Sequence, residues 1–248
     1  MIHPIYTDIY AGLPKAGPGD DVYTVHAWTR LRDLPDHPDV LDVGCGPGRQ
    51  TLALAAATNA RITAVDLYAP FIERLGYEMH LRNLEQQITI MQADMNSLPF
   101  RPASFDVIWS EGAVYIMGFD NSLNILQPLL REGGWLVVTE LCWLGDSDRS
   151  DEAAAFFAAE YPGMRSNDEN MLAIGRAGYE LAGTLNLPED AWWDGHYTPI
   201  ETRIGILGEQ YAGDAEAQEI LDGYRREIEV CRNHSSEYGY VFYIMRKP

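Results

Sequence analysis

Two short segments of the chain carry residue types, at suitable spacing, for binding a nucleoside. Residues 40–48 read VLDVGCGPG, an apolar run that enters a turn with three glycines. Glycine lets the main chain pass close to a ligand at points where a side chain would collide with it. Residues 61–66 form a second strand-like run that ends in Asp66, whose carboxylate can accept hydrogen bonds from both hydroxyls of a ribose. Together the two segments predict an α/β unit that holds a ribose.

The spacing of the glycines separates two classes of cofactor. A dinucleotide-binding turn has the pattern G-x-G-x-x-G/A, in which the third small residue packs the helix against the strand. Here the glycines stand at positions 44, 46 and 48, and Arg49 occupies the slot of the third small residue. The pattern therefore disfavours an NAD-dependent oxidoreductase. That class remains an alternative because a glycine turn followed by an acidic residue also suits NAD.

Strand-like and helical segments alternate along the chain and would position these residues. The predicted strands are 40–43, 61–66, 88–92, 105–110, 134–141, 179–187 and 238–246, and the predicted helices are 22–34, 49–58, 70–84, 121–130, 151–161, 168–178, 199–211 and 214–232. Such alternation is typical of an α/β protein whose parallel sheet is covered by helices on both faces.

The last two predicted strands are separated by about fifty residues, far more than the ordinary connection of ~2–6. Ligands of open α/β sheets bind beyond the carboxyl ends of the parallel strands, where the extra segments begin. We therefore expect one domain over residues 1–248. It would comprise an N-terminal helical segment (1–38), a cofactor-binding core (39–141), a lid with the sixth strand (142–237) and a last strand (238–248).

Composition excludes several classes of function. The chain has 18 basic and 37 acidic residues and a formal net charge of -19, which argues against nucleic acid and anionic membranes as partners. The three cysteines, Cys45, Cys142 and Cys231, give no disulfide framework and no zinc-binding spacing. No apolar run approaches the ~20 residues of a membrane span, and no secretory signal precedes the first helix. We expect a cytoplasmic protein without a metal.

Five segments in chain order resemble the motifs of class I S-adenosylmethionine-dependent methyltransferases. They are residues 42–48, Asp66, residues 93–95, residues 104–109 and residues 130–136. The resemblance implies a three-layer α/β/α Rossmann-like fold, with a mostly parallel seven-stranded sheet, an antiparallel last strand and a helical lid insertion. It implies S-adenosyl-L-methionine as cofactor, S-adenosyl-L-homocysteine as product, and a small-molecule acceptor methylated by in-line displacement. Residues 16–19, 110–115, 192–199 and 238–240 look like a bacterial subfamily of uncharacterised small-molecule methyltransferases.

The same resemblance implies which residues bind the cofactor. They are Asp42, Gly44, Gly46, Gly48, Asp66, Leu67, Asp94, Met95 and Ser110. Asp66 would hold the ribose, and Asp94 and Met95 would bracket the adenine. Structural alternatives remain open: Asp66 as the N-cap of the helix that starts near Pro70, Asp94 as a turn residue, and Asp42 as a brace of the glycine loop.

Three further residues are candidates for the chemistry on the acceptor. Glu111 follows the fourth strand and could hold the acceptor or take its proton, or could pair with a residue of the lid. Tyr115 could line the acceptor pocket or be packed. His196 lies in the aromatic segment 192–197 and could act as a general base, because its ordinary pKa lies near neutrality, or could belong to a packed hinge. A base is needed for an alcohol and hardly for a free amine. A non-catalytic S-adenosylmethionine-binding module is the other alternative.

Overall fold

A computed structural model of the protein describes residues 3–145 and 149–248. Seven strands form one sheet. They are β1 (Asp39–Val43), β2 (Arg61–Asp66), β3 (Ile88–Gln92), β4 (Phe105–Ser110), β5 (Leu130–Trp143), β6 (Glu180–Asn186) and β7 (Tyr238–Arg246). Their order is β3-β2-β1-β4-β5-β7-β6. All neighbouring pairs are parallel except those of β7, which is antiparallel to both β5 and β6. The predicted fold class is confirmed.

In the described part of the chain, ten α-helices surround or extend this sheet. They are α1 (Ile5–Tyr10), α2 (Asp21–Trp28), α3 (Arg49–Ala57), α4 (Ala69–Leu81), α5 (Phe119–Leu126), α6 (Asp151–Glu160), α7 (Asn167–Arg176), α8 (Asp190–Trp192), α9 (Thr198–Gln210) and α10 (Ala215–His234). The chain also forms short 3₁₀ turns at Val114–Ile116 and Gln127–Leu129 and a π-helical turn at Trp193–Tyr197.

The sheet is buried on both faces, as its alternating sequence predicts. On one face, strand residues such as Leu41 and Ile108 pack with Leu123 of α5 and Ile174 of α7. On the other face, Val40 and Val107 pack with residues of α2, α3 and α4. A third apolar cluster joins α1, α6, α9 and α10 to the end of β7. This third cluster is the body of the helical cover on the carboxyl side of the sheet.

Two predicted boundaries differ from the structure for local reasons. Helix α2 ends at Trp28 instead of position 34. The N–H groups of Arg30 and Leu31 bond to carbonyls three residues back, and the indole of Trp135 donates to the carbonyl of Arg32. Strand β5 starts at Leu130 instead of position 134, because its register with β4 shifts between positions 130 and 135 and extends the ladder.

Three elements were absent from the prediction: α1, the 3₁₀ turn after β4, and residues 190–197.

Within the described residues, no helix is long and apolar enough to cross a membrane. Over the same ranges, no three His, Cys, Asp or Glu side chains are grouped to hold a metal ion.

Candidate active site

A cavity of about 940 Å³ opens at the carboxyl ends of β1, β2, β3 and β4, under the N-terminal residues and α10. Eight of the predicted site residues line it: Gly44, Gly46, Asp66, Leu67, Asp94, Met95, Glu111 and Tyr115. The lining does not include four others, Asp42, Gly48, Ser110 and His196. Eight of the twelve predicted residues therefore line the cavity.

The glycine turn brings the main chain to the cavity wall. Gly44, Gly46 and Gly48 have φ angles of 69°, 55° and 96°, a region that favours glycine. A Cβ atom on Gly48 would overlap the side chain of Leu75, so that glycine permits the packing of α4. A Cβ atom on Gly46 would find no neighbour closer than Ala16, at 4.0 Å. Gly46 thus leaves space at the cavity that a ligand can use.

The carboxylate of Asp66 is positioned by two main-chain donors. The N–H of Gly46 donates to Oδ2 at 2.9 Å, and the N–H of Tyr68 donates to Oδ1 at 2.8 Å. Burial raises the pKa of Asp66 above its ordinary value. The N-cap residue of α4 is Tyr68 and makes no side-chain cap. Each oxygen of Asp66 keeps capacity for a further hydrogen bond from a ligand in the cavity.

Asp94 and Met95 are adjacent in sequence but differ in their exposure to solvent. Asp94 is exposed and accepts hydrogen bonds from the main-chain and side-chain nitrogens of Asn96, at 2.8 and 3.0 Å. These bonds, first that from the main chain, lower the pKa of Asp94. Met95 is buried and presents an apolar surface beside Gly44. The pair can offer a ligand one acceptor and one apolar contact.

Asp42 and Ser110 lie inside the protein instead of at the cavity. Asp42 is fully buried, and its carboxylate accepts from Thr51 Oγ1 at 2.5 Å and from Gln50 Nε2 at 3.4 Å. Burial raises the pKa of Asp42 to about 7. Ser110 Oγ donates to the carbonyl of Val43 at 2.7 Å. Asp42 braces the first turn of α3, and Ser110 ties β4 to β1.

Glu111 is buried at the cavity wall, and both of its oxygens have donors. Lys15 Nζ pairs with Oε2, while Thr24 Oγ1 and Trp109 Nε1 donate to Oε1 at 2.7 and 2.8 Å. Lys15 is 5% exposed and Glu111 is 6% exposed, so water does not compete for the pair. A carboxylate with this many donors is poorly placed to take a proton from an acceptor. Glu111 instead anchors the N-terminal part of the chain.

Residues 15–21, which we name the covering segment, cross the glycine turn. At one end Lys15 is tied to Glu111, and at the other Arg49 pairs with Asp20 and Asp21 at 2.7 Å each. Between these contacts, Ala16 and Gly17 line the cavity. Arg49, the residue that departs from the dinucleotide pattern, therefore fastens this segment. No sequence pattern indicated that Lys15 would lie at this site.

Aromatic side chains form the far wall of the cavity. Tyr10 of α1 and Tyr224 of α10 join through their hydroxyls at 2.9 Å, and Tyr10 meets Phe71 edge to face with ring centroids 6.4 Å apart. Tyr115 lines the cavity with 47% of its surface exposed and meets Tyr161 with ring centroids 6.0 Å apart. The sequence analysis named Tyr115 as a candidate pocket residue but not Tyr224.

His196 lies in the π-helical turn, within the helical cover. It is 4% exposed, and its Nδ1 has no hydrogen-bond partner among the described residues. Burial lowers the pKa of His196 to about 3, so the imidazole is neutral at physiological pH. With a pKa this low and a position outside the cavity lining, His196 is poorly suited to act as the base.

Two carboxylates that the sequence analysis did not single out, the buried Glu140 and the half-buried Glu227, lie near the aromatic wall. Glu140 of β5 is 2% exposed and accepts from the Tyr161 hydroxyl at 2.5 Å, while its Oε2 has no partner in the described chain. Glu227 of α10 accepts from the Tyr197 hydroxyl at 2.8 Å. Burial raises the pKa of both, that of Glu140 to about 7. An acid inside the apolar run of β5 was the available signal for Glu140.

Comparison with known proteins agrees with this architecture. A model of the methyltransferase domain matches residues 40–134. The chain is 26% identical to the 27-O-demethylrifamycin SV methyltransferase of Amycolatopsis mediterranei, over 84% of the chain and 77% of that enzyme. A methyltransferase structure from Geobacter sulfurreducens, in complex with S-adenosyl-L-homocysteine, superposes with a TM-score of 0.84 at 19% identity, covering 100% of this chain and 99% of that one.

Residues 40–134 match the methyltransferase domain, and these similarities support a class I S-adenosylmethionine-dependent methyltransferase.

The same similarities support S-adenosylmethionine as the cofactor and a small molecule as the acceptor. The oxidoreductase and the non-catalytic binding module are not favoured. Curated relatives act at different atoms. One is the dimethylglycine N-methyltransferase of Parasynechococcus marenigrum, 32% identical over 55% of the chain and 49% of that enzyme. Several of these relatives are matched over only about half of their length. The acceptor of this methyltransferase therefore has to be argued from its own cavity.

Proposed function

We propose that this methyltransferase holds the adenosine of its cofactor between the glycine turn and the covering segment. The support is Asp66, whose carboxylate is fixed by the N–H groups of Gly46 and Tyr68 and is open to the cavity. Gly46 provides space for close approach. Asp94 and Met95 lie at the end of β3, where they fit an adenine edge and face. These residues fit the cofactor.

The residues of this chain would contribute to catalysis by placement. The bound cofactor supplies an electrophilic methyl group on a positively charged sulfur. An acceptor bound against the aromatic wall formed by Tyr10, Tyr115 and Tyr224 would face that methyl group. Holding two reactants in line removes an entropic barrier that is large in solution. The covering segment and α10 exclude water, which strengthens electrostatic interactions inside the site.

In this proposal Glu111 is a positioning residue and not the base. Its carboxylate is occupied by Lys15, Thr24 and Trp109, and it holds Ala16 and Gly17 across the glycine turn. The helical cover formed by α6, α9 and α10 is the lid of our proposal, although its contribution to the cavity lining comes from α10. We also propose a cytoplasmic location, which the three free, buried cysteines support.

The proposal is tested by changing Asp66, whose position carries it. Asp66→Ala removes the expected ribose contacts and should weaken S-adenosyl-L-homocysteine binding by ~1–3 kcal/mol in titration calorimetry. Asp36→Ala, at an exposed acid, is the matched control and should leave the affinity unchanged. Equal affinities of the two variants would refute the assignment. Incubation of extract fractions with methyl-labelled cofactor, followed by mass analysis of labelled products, would identify the acceptor.

A further inference from the structure

The far part of the cavity combines aromatic rings with negative charge, and the residues described there offer no unpaired basic side chain. Its rings include Tyr6, Tyr10, Phe71, Tyr115 and Tyr224, and Glu216 and Glu219 of α10 stand at its exposed rim. Among the described residues, the basic side chains of the lining are His3 and Lys15. Lys15 is paired with Glu111, and His3 Nε2 lies 3.2 Å from Asp214. An anionic acceptor would find no partner here.

Two carboxylates lie near the aromatic wall. Tyr115 is connected to the buried Glu140 through Tyr161, which contacts the ring of Tyr115 and donates to Glu140. The half-buried Glu227 lies one turn beyond Tyr224 on α10 and accepts a hydrogen bond from Tyr197. The pKa of Tyr115 is raised, mainly by burial and then by the negative charges of Glu227 and Glu140. Both carboxylates are thus close enough to act electrostatically, when ionised, on the ring that faces the cavity.

A buried carboxylate oxygen without a donor costs free energy unless something compensates it. Glu140 Oε2 is such an atom. Aromatic faces attract cations, and a negative charge in a low-dielectric surround extends that attraction over several ångströms. A neutral alcohol would gain from neither feature. A positively charged ligand would gain from both.

We propose that the methyl acceptor is a small amine, bound as a cation against Tyr10, Tyr115 and Tyr224 with the carboxylates of Glu140 and Glu227 near these rings. This inference rests on the proposed function. A protonated amine first releases a proton to water at the cavity mouth. Its nitrogen lone pair then forms the new bond to the methyl carbon, while the carbon–sulfur bond breaks with its electron pair on sulfur. The positive charge passes from sulfur to nitrogen.

The test compares two ligands of the same shape and different charge. Choline and its neutral isostere 3,3-dimethylbutan-1-ol are titrated into the full chain saturated with S-adenosyl-L-homocysteine. Choline is expected to bind about ten-fold more tightly, as cation–π contacts predict. Glu227→Gln keeps an acceptor for Tyr197 and should reduce that preference several-fold. Glu229→Gln removes an exposed charge from the same helix and should leave the preference unchanged.

A second variant covers failure of Glu227→Gln to fold, which a thermal melt reveals. Tyr115→Leu, at the exposed cavity wall, should weaken choline and spare the isostere. Equal binding of the two ligands to the unaltered protein would overturn the inference, as would an unchanged preference in both variants. The titration with S-adenosyl-L-homocysteine separates the two levels: if the protein binds it and shows no preference for choline, the amine fails and the proposed function stands.

Discussion

Lys15 Nζ contacts Glu111 Oε2 in the interior of the protein, across 96 positions of the sequence. The pair joins the covering segment to the end of β4, directly over the glycine turn. Breaking a buried pair is far more costly than breaking one at the surface, because the remaining charge stays desolvated. The contact is therefore the main fastening of the cofactor side of the cavity.

Replacement of Lys15 should expose that role. Lys15→Met leaves Glu111 buried without its cation and should lower the free energy of unfolding by ~3–5 kcal/mol. It should also weaken S-adenosyl-L-homocysteine binding, because Ala16 and Gly17 lose their anchor. Urea denaturation and calorimetry measure the two effects.

The matched control for this replacement is Arg82→Met, which breaks an exposed pair with Glu78 and should cost at most ~1 kcal/mol. The double variant Lys15→Met/Glu111→Gln should recover part of the stability, since no uncompensated charge remains. Similar losses for the Lys15 and Arg82 variants would contradict the assignment.

Two glycines of one turn should respond differently to the same substitution. Gly48→Ala places a methyl group on Leu75 at a φ of 96°, so it should destabilise the fold by ~2 kcal/mol or more. Gly46→Ala has open space around it and should cost only the ~1–2 kcal/mol of its left-handed backbone, yet it should abolish most cofactor binding. Thermal melts and calorimetry separate the outcomes. Tight cofactor binding by a folded Gly46→Ala protein would argue against close approach at this residue.

Glu140 in β5 should make the stability of the folded protein depend on pH. Burial raises the pKa of Glu140 from 4.5 to about 7, so between these values the folded protein holds a proton that the unfolded chain has released. The stability contributed by this proton is lost as the pH rises through 7. Glu140→Gln stays neutral and can still accept from Tyr161. Its gain over the original protein in unfolding free energy should grow from pH 5 to pH 8, by ~1–3 kcal/mol, in melts across that range. A gain independent of pH would count against an ionised Glu140.

The buried, neutral His196 should lower the stability of the folded protein as the pH falls. Burial lowers its pKa from 6.5 to about 3, so below pH 6.5 the unfolded chain takes up a proton that the folded protein refuses. Stability is lost by ~1.4 kcal/mol per pH unit as the pH falls through this window. His196→Asn should flatten the dependence between pH 6.5 and 4 in thermal melts. His26→Asn, at an exposed histidine, should not, and identical slopes for both variants would remove the argument.

The sequence predicted the sheet well because strand periodicity and glycine turns are local signals. Strands β2, β3, β4 and β7 begin and end where the pattern placed them, and Asp66 and the glycine turn line the cavity. Helix α1 was missed although Ile5 and Ile9 have the spacing of one buried helical face. Six residues give too short a pattern to separate from a loop.

The positions of the four predicted residues outside the cavity lining depend on contacts that no local pattern encodes. Ser110 and Glu111 are adjacent in sequence, yet only Glu111 reaches the cavity, because Ser110 points to β1 at the end of a strand whose side chains alternate. His196 has the residue type of a base, but the π-helical turn buries it. The pairing of Lys15 with Glu111 required the tertiary structure itself.

The order in which the chain is made has a consequence for this site. Lys15 precedes its partner at the end of β4 by 96 positions, and Tyr224 of the far wall lies further along the chain than both. The growing chain therefore has the covering segment, the glycine turn and Asp66 before it has Glu111 to fasten that segment or Tyr224 to close the far wall. The cavity is complete only after α10 has been synthesised.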